Sequence, residues 1–538
     1  MNLSRRDLLA LGGMTIAGTA LTPSAARAQG APKRGGEFRF RGYTPPHFDP
    51  HLTASYTTMI NLSFTHSRLL MHKTGPAVKP GTFDFEGDLA ESWSQPDEKT
   101  YVFKLRKGVR WHKKPPVNGR ELKADDVKYT FDRFMTIKGN ANRHMMNALD
   151  RVDVVDPYTV KFTLKEPNAW FLDFIATPMA LCIVAKEAVE QFADLKKPEA
   201  VIGTGPWMLD RHESKVRSVF VRNPDYFRSG LPYIERVEAI DFNDPAARLA
   251  AFVTGQLDAG PEFPGMMIRR QDWKIVKEKR PNLRYVEFPA NVMTHVGMRI
   301  DKKPFDDIRV RKALSMAVDR QAILQATAEG VGVMNPPVPA AIAAWSIPHD
   351  QLGEGRKYDQ FHPDEAKKLL KEAGLGGGFS TTLEYATYGS QELIDAVQMC
   401  VKFWKDVGVD VKVIEKPYAA YFATAYQGKQ DALMMGPQFP ALEAYNFLAQ
   451  YLPGEPKNQS HVNDPALADM ILNSSRTLDD KKRRQQIHDI QKHIAKQAYY
   501  IRLASGIYIA ALDPKLENFG PNLGYDYGGR LMAAWWNK

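Results

Sequence analysis

The chain has 538 residues, 25% of them charged, with a formal net charge of +10 and only two cysteines. Such a length leaves room for two or three domains of ordinary size. The basic excess is spread along the chain, which argues against nucleic acid as a partner, and two thiols cannot staple a chain this long.

The first predicted segment is a leader. Ser4-Arg5-Arg6-Asp7-Leu8-Leu9 opens an apolar stretch from Leu8 to Leu21, and Ala26-Arg27-Ala28 supplies a small-x-small cut site. Charged start, apolar middle and small-residue end make a cleavable secretory signal over residues 1–28, and the arginine pair points to the twin-arginine route. The apolar stretch is about 14 residues, short of the ~20 that cross a bilayer. Removing this leader leaves roughly +8 of net charge, and no later stretch is long and apolar enough to span a membrane.

Beyond the leader, strand and helix signals intermix. Alternation predicts strands at Tyr101 to Arg106, Thr159 to Leu164 and Ser218 to Arg222. Helical spacing of Val310, Ala313, Leu314, Ala317 and Val318 after Asp306-Asp307 predicts a helix. Pro363 to Ala373, stopped by Gly374, predicts a second, and Asp479 or Asp480 starts a third with Ile487, Ile490, Ile494 and Ala498 buried. The run Lys481-Lys482-Arg483-Arg484 is expected to be a solvated face of that helix. Cys182 and Cys400 are expected to be buried thiols rather than a bridge.

Enzyme motifs are missing: there is no Gly-x-Ser-x-Gly elbow, P-loop or His-Glu-x-x-His. Gly374 to Gly378 ends a helix, the wrong pole for a phosphate. His47-Phe-Asp-Pro-His51 is expected to be a proline-stiffened loop rather than a metal site. No catalytic residue, metal ligand or cofactor is assigned.

Longer motifs carry a resemblance. Asp88-Leu-Ala-Glu-Ser-Trp93, Lys99 to His112, Ala124-Asp-Asp-Val-Lys-Tyr129 and Val155 to Pro167 come in order. They are followed by Gly203-Thr-Gly-Pro-Trp207, Arg222-Asn-Pro-Asp-Tyr226, Gly255-Gln-Leu-Asp258 and Pro304 to Leu314 with Ala317-Val-Asp-Arg320. Together they resemble the family 5 extracellular solute-binding proteins, the group with oligopeptide-, dipeptide- and nickel-binding components of ABC importers. The resemblance implies an α/β fold, a bilobal periplasmic-binding-protein clamshell of type II with an extra subdomain. It further implies lobe I from residues 29–70, 201–297 and 505–538, the extra subdomain at 71–200, and lobe II at 298–504. Arg309 and Arg311 are expected to form ion pairs beside a domain junction. Partners implied are a small-molecule ligand, ABC permease transmembrane subunits and, for the precursor, the twin-arginine export machinery. The protein is expected to be a periplasmic monomer without enzymatic activity.

The ligand is less legible. In peptide-binding relatives an aspartate in the region of Asp431 to Leu448 pairs with the ligand's α-ammonium. Matching Asn446-Phe447-Leu448 to the family's pattern places Pro440 there, and Glu443-Ala444 replaces the usual Asp-Pro. Glu443 is a candidate for the ammonium role or a helix-start residue. Tyr43, Phe48, Trp207, Tyr418, Gln438 and Phe439 complete the candidate ligand-binding set, on aromatic contact and amide hydrogen bonding. A peptide or peptide-like solute leads. An opine, sugar or metal chelate is the alternative, with a sensor subunit and a secreted hydrolase more distant.

Overall fold

Phe38 and Phe40 point to one side of the strand Glu37–Gly42 and bury there, the alternation of a half-covered sheet. In the computed structural model that strand pairs in parallel with Arg236–Asp241. Arg217–Arg222 and Trp207–Glu213 then continue the four-stranded sheet antiparallel. The structure describes residues 31–79, 83–140, 142–178, 181–242, 244–259, 268, 270–388, 390–438, 441–520 and 525–538. The leader therefore lies outside the described residues, as do Phe439 and Pro440.

A five-stranded sheet forms the other lobe, in the order Val409–Glu415, Phe379–Tyr385, Leu433–Pro437, Thr294–Met298, Tyr500–Arg502. Its first three strands are parallel. Leu433, Met434 and Met435 are all buried, as a strand covered on both faces requires. The sheet begins at Thr294, slightly upstream of the boundary expected at 298.

Between the strands Glu37–Gly42 and Trp207–Glu213 of the first sheet the chain inserts an antiparallel sheet of Ala90–Asp97, Thr100–Leu105, Thr159–Leu164 and Leu149–Asp156. Helix Ala124–Thr136 covers one face, with Phe131 edge-on to Phe162 at 4.8 Å. The His47–His51 loop is tied to that helix. Asp49 pairs with Arg133 at 2.5 Å, and the His51 ring lies 2.7 Å from the same guanidinium. Where the chain returns from this insertion, Gly205 packs against the end of helix Tyr56–Thr65. A Cβ there would fall 2.6 Å from the Thr65 carbonyl carbon. That segment enters the first sheet and is not a lobe crossing.

The crossings are elsewhere. Residues 290–293 join Arg284–Pro289 to Thr294–Met298, and 503–504 join Tyr500–Arg502 to Ser505–Leu512. They run side by side: Leu503 N–H donates to Thr294 O at 2.9 Å and Ser505 Oγ to Val292 O at 3.3 Å. The C-terminal tail returns to the first lobe, where Trp536 Nε1 donates to Glu37 O at 2.9 Å.

The capped helices appear where expected. Asp307 caps Ile308–Met316 and Asp479 caps Asp480–Gln497, and Pro363–Glu372 ends before Gly374 at φ +81°. Two expectations are corrected. Arg483 is buried, its guanidinium 5.0 Å from the Trp170 ring and 4.7 Å from that of Trp345, while its basic neighbours stay exposed. The aromatic faces accept the cation where water would otherwise be needed. Arg309 does pair with Asp307 at 2.6 Å, but Arg311 instead donates to the Phe305 and Asp306 carbonyls. Cys182 and Cys400 are free and buried, and burial pushes each thiol up to about 12.

Candidate ligand cleft

Tyrosines from both lobes converge beside the crossings. From the first lobe, Tyr43 follows the strand Glu37–Gly42 and Tyr56 opens the helix Tyr56–Thr65 after its cap Ser55. Tyr43 and Tyr56 meet edge to face at 5.7 Å, and Tyr56 stacks on Tyr525 at 5.4 Å. The other lobe supplies Tyr388, just past the strand Phe379–Tyr385, and Tyr418, which Pro417 places at the start of helix Tyr418–Ala423. Tyr388 lies edge-on to Tyr418 at 5.2 Å and to Tyr421 at 5.9 Å. Across the lobes the Tyr418 hydroxyl faces Ser55, and the Tyr56 phenol interacts electrostatically with those of Tyr418 and Tyr426.

Burial holds these phenols neutral. It pushes Tyr56 up to about 12 and Tyr43, Tyr388, Tyr418 and Tyr525 well above the ordinary tyrosine value. Each is therefore an uncharged donor and acceptor at neutral pH. The hydroxyls of Tyr43, Tyr388 and Tyr508 are buried without a partner among the described residues. Gln438 goes further. It is 4% exposed at the end of strand Leu433–Pro437, with its backbone N–H on Met293 O at 2.8 Å, yet neither amide atom of its side chain is bonded among the described residues. Each such group costs about 1–3 kcal/mol when left dry and unpaired.

Other residues of the predicted set are engaged in packing. Trp207 is fully buried, donates its indole N–H to Ile234 O at 3.0 Å and meets Phe64 edge to face. Phe48 is buried against the His212 ring at 5.0 Å. Glu443 is 2% exposed and caps helix Ala444–Ala449, accepting from Asn446 N–H at 3.2 Å. Burial pushes its carboxyl up to about 7. Nearby Asp173 is raised by burial and then by Glu443, while burial lowers Lys457 to about 8. Tyr56, Tyr388, Tyr426, Tyr508 and Tyr525 escaped the sequence reading. They share no spacing, and only the crowding of Tyr418, Tyr421 and Tyr426 hinted at a tyrosine-built surface. Among the described residues no three His, Cys, Asp or Glu side chains are grouped to hold a metal ion.

Residues 84–459 match the profile "Bacterial extracellular solute-binding proteins, family 5 Middle". The chain belongs to the family 5 extracellular solute-binding proteins. It is 29% identical to di/tripeptide-binding protein 3 of Pseudomonas aeruginosa over 489 residues, covering 84% of this chain and 86% of that one. To the dipeptide-binding protein of Escherichia coli it is 30% identical over 418 residues, 73% and 74% of the two chains. In fold it matches the Helicobacter pylori ABC transporter-associated periplasmic binding protein DppA in complex with the peptide STSA. The TM-score is 0.82 at 23% identity, over 94% of this chain and 99% of that one. The PBP AgaA from A. tumefaciens R10, in complex with agropinic acid, matches at a TM-score of 0.79 and 20% identity, over 94% and 99%. The fold is thus the bilobal α/β clamshell, and the protein is an extracellular solute-binding protein. The family and these relatives are binding proteins.

Proposed function

We propose that the captured solute is a short peptide or a peptide-like molecule, held between the lobes and handed to an ABC permease. The observation that carries this is the 29–30% identity to di- and tripeptide-binding relatives over most of the chain. The chemistry of the cleft agrees: neutral phenols and the Gln438 amide both donate and accept, as a peptide backbone does. In this proposal Tyr43, Tyr418, Gln438 and Phe439 touch the ligand, Glu443 serves as a helix cap, and Phe48 and Trp207 support their lobe. Denaturing the purified protein and identifying the released molecule by mass spectrometry tests it directly. A released peptide supports the proposal, whereas a released opine, sugar or metal chelate overturns it.

One observation favours a second reading. The resemblance places Pro440 where it implies an aspartate for the α-ammonium in peptide binders, so a solute without a free amino terminus fits this chain's sequence. Thermal-shift screening of dialysed protein with dipeptides, N-acetylated dipeptides and mannopinic acid separates the two.

We further propose that residues 1–28 form a twin-arginine leader cut near Ala28, and that the mature protein is a monomer. The proposed lobes are 29–70 with 201–297 and 505–538, and 298–504, with 71–200 inserted. Replacing Arg5 and Arg6 with lysine is expected to trap the precursor inside the cell; continued export would assign the general pathway.

A further inference from the structure

A cavity of about 140 Å³ lies where the two lobe crossings meet the helices Arg320–Ala328 and Gln391–Asp406. Ala290, Val292, Leu503 and Ile507 wall it from the crossings, and Ile323 and Leu393 from the helices. An aliphatic cavity of roughly 150 Å³ is large enough for one benzene ring. Two charged groups of opposite sign, Arg270 and Glu392, stand at its edge. Arg270 donates to Glu287 at 3.1 Å, and the Glu392 carboxylate accepts from Ser390 Oγ at 2.8 Å.

Two features mark it as more than a packing defect. Tyr508 lines it at 5% exposure with its hydroxyl unpartnered among the described residues, and the Tyr388 hydroxyl is equally unpartnered. Tyr388 belongs at the same time to the tyrosine group of the cleft, and Pro437, also in the lining, immediately precedes Gln438. The cavity therefore adjoins the solute cleft. Its walls include both crossings, the segments about which the lobes must turn.

We infer that this cavity receives one uncharged, ring-sized apolar group of the captured solute, with Tyr508 available to hydrogen-bond a polar tip. If the solute is the peptide proposed above, on which this inference rests, the group is an aromatic or large aliphatic side chain. Burying such a group contributes enough to dominate selectivity.

The test is calorimetry on dialysed mature protein with Ala-Phe, Phe-Ala, Ala-Tyr, Ala-Ala and Ala-Lys. At least one Phe dipeptide should bind tenfold or more tightly than Ala-Ala, and Ala-Lys should gain nothing. Ala328→Phe, at the half-buried helix end lining the cavity, should erase the Phe advantage and leave Ala-Ala within threefold. Tyr508→Phe should weaken Ala-Tyr and spare the Phe dipeptides, which keeps the test decisive should the filled variant unfold. A full Phe advantage in folded Ala328→Phe, or no discrimination by the wild type, overturns the inference while leaving peptide binding intact. If the wild type binds none of these peptides, the peptide reading falls and p-cresol decides the cavity. A thermal shift lost in Ala328→Phe upholds it, and no shift sinks it.

Discussion

Gln438 buries a whole primary amide with neither end bonded among the described residues, and Glu443 buries a carboxyl that accepts the Asn446 backbone N–H and lies near Lys457. These two side chains make opposite predictions. Gln438→Ala removes dry, unpaired polar atoms, so the melting temperature of the unliganded protein should not fall. Peptide affinity should drop roughly 5- to 10-fold, the worth of one good hydrogen bond, as read by calorimetry; unchanged affinity takes Gln438 out of the site. For Glu443, burial raises the carboxyl from 4.5 to about 7. The folded state thus holds the proton more tightly than the unfolded one. The group's contribution is full below about pH 4.5 and is lost as pH rises through 7. Glu443→Gln cannot titrate. Its stability relative to wild type should climb by roughly 2 kcal/mol between pH 5 and 7.5 and then level. A flat difference in urea titrations would show that the carboxyl titrates normally.

Elements differ in how openly their sequences declare them. Ile308–Met316 and Asp480–Gln497 were legible because an aspartate cap precedes a one-sided apolar stripe, each a local signal. Tyr56–Thr65 was not. Every residue from Thr57 to Thr65 is buried, so the helix has no polar face against which a period could show. Tyr418–Ala423 is six residues long and too short for any period. At this scale the contact between the inserted subdomain and the other lobe is also decided. Trp170, ahead of helix Phe171–Ala176, lies edge-on to Trp345 at 4.9 Å and beside Arg483. Trp170→Ala should cost about 3–5 kcal/mol in chemical denaturation. The Arg476–Glu166 pair joins the same subdomain to helix Pro465–Arg476 at 2.6 Å, but both side chains are more than a third exposed. Arg476→Ala should therefore cost no more than about 1 kcal/mol. An equal cost for both would mean that the exposed pair, not the ring packing, holds the contact.

For the whole molecule, two side-by-side crossings mean that the lobes can reorient while each keeps its own sheet. A solute that completes the cleft binds only the folded chain and so stabilises it by mass action. At a hundred times Kd the gain is about 2.7 kcal/mol, which for a chain of this size raises the melting temperature by roughly 2–3 °C. Scanning calorimetry at several concentrations of the released ligand should show that rise growing with its logarithm. A melting temperature independent of concentration would mean that the molecule is not a cleft ligand.

By itself the sequence determined the local grammar: which segments become strands and capped helices, and, through ordered motifs, the family and its clamshell. Those signals lie within short windows, where periodicity and capping act. Only the tertiary structure decided what the cleft is made of. Tyr43 and Tyr56 lie hundreds of residues from Tyr388, Tyr418 and Tyr525, and the group meets because two lobes face each other. Arg483 read as a solvated cation until two tryptophan rings from distant segments covered it. Burial and partnership are properties of both sides of a contact, and a linear pattern describes only one.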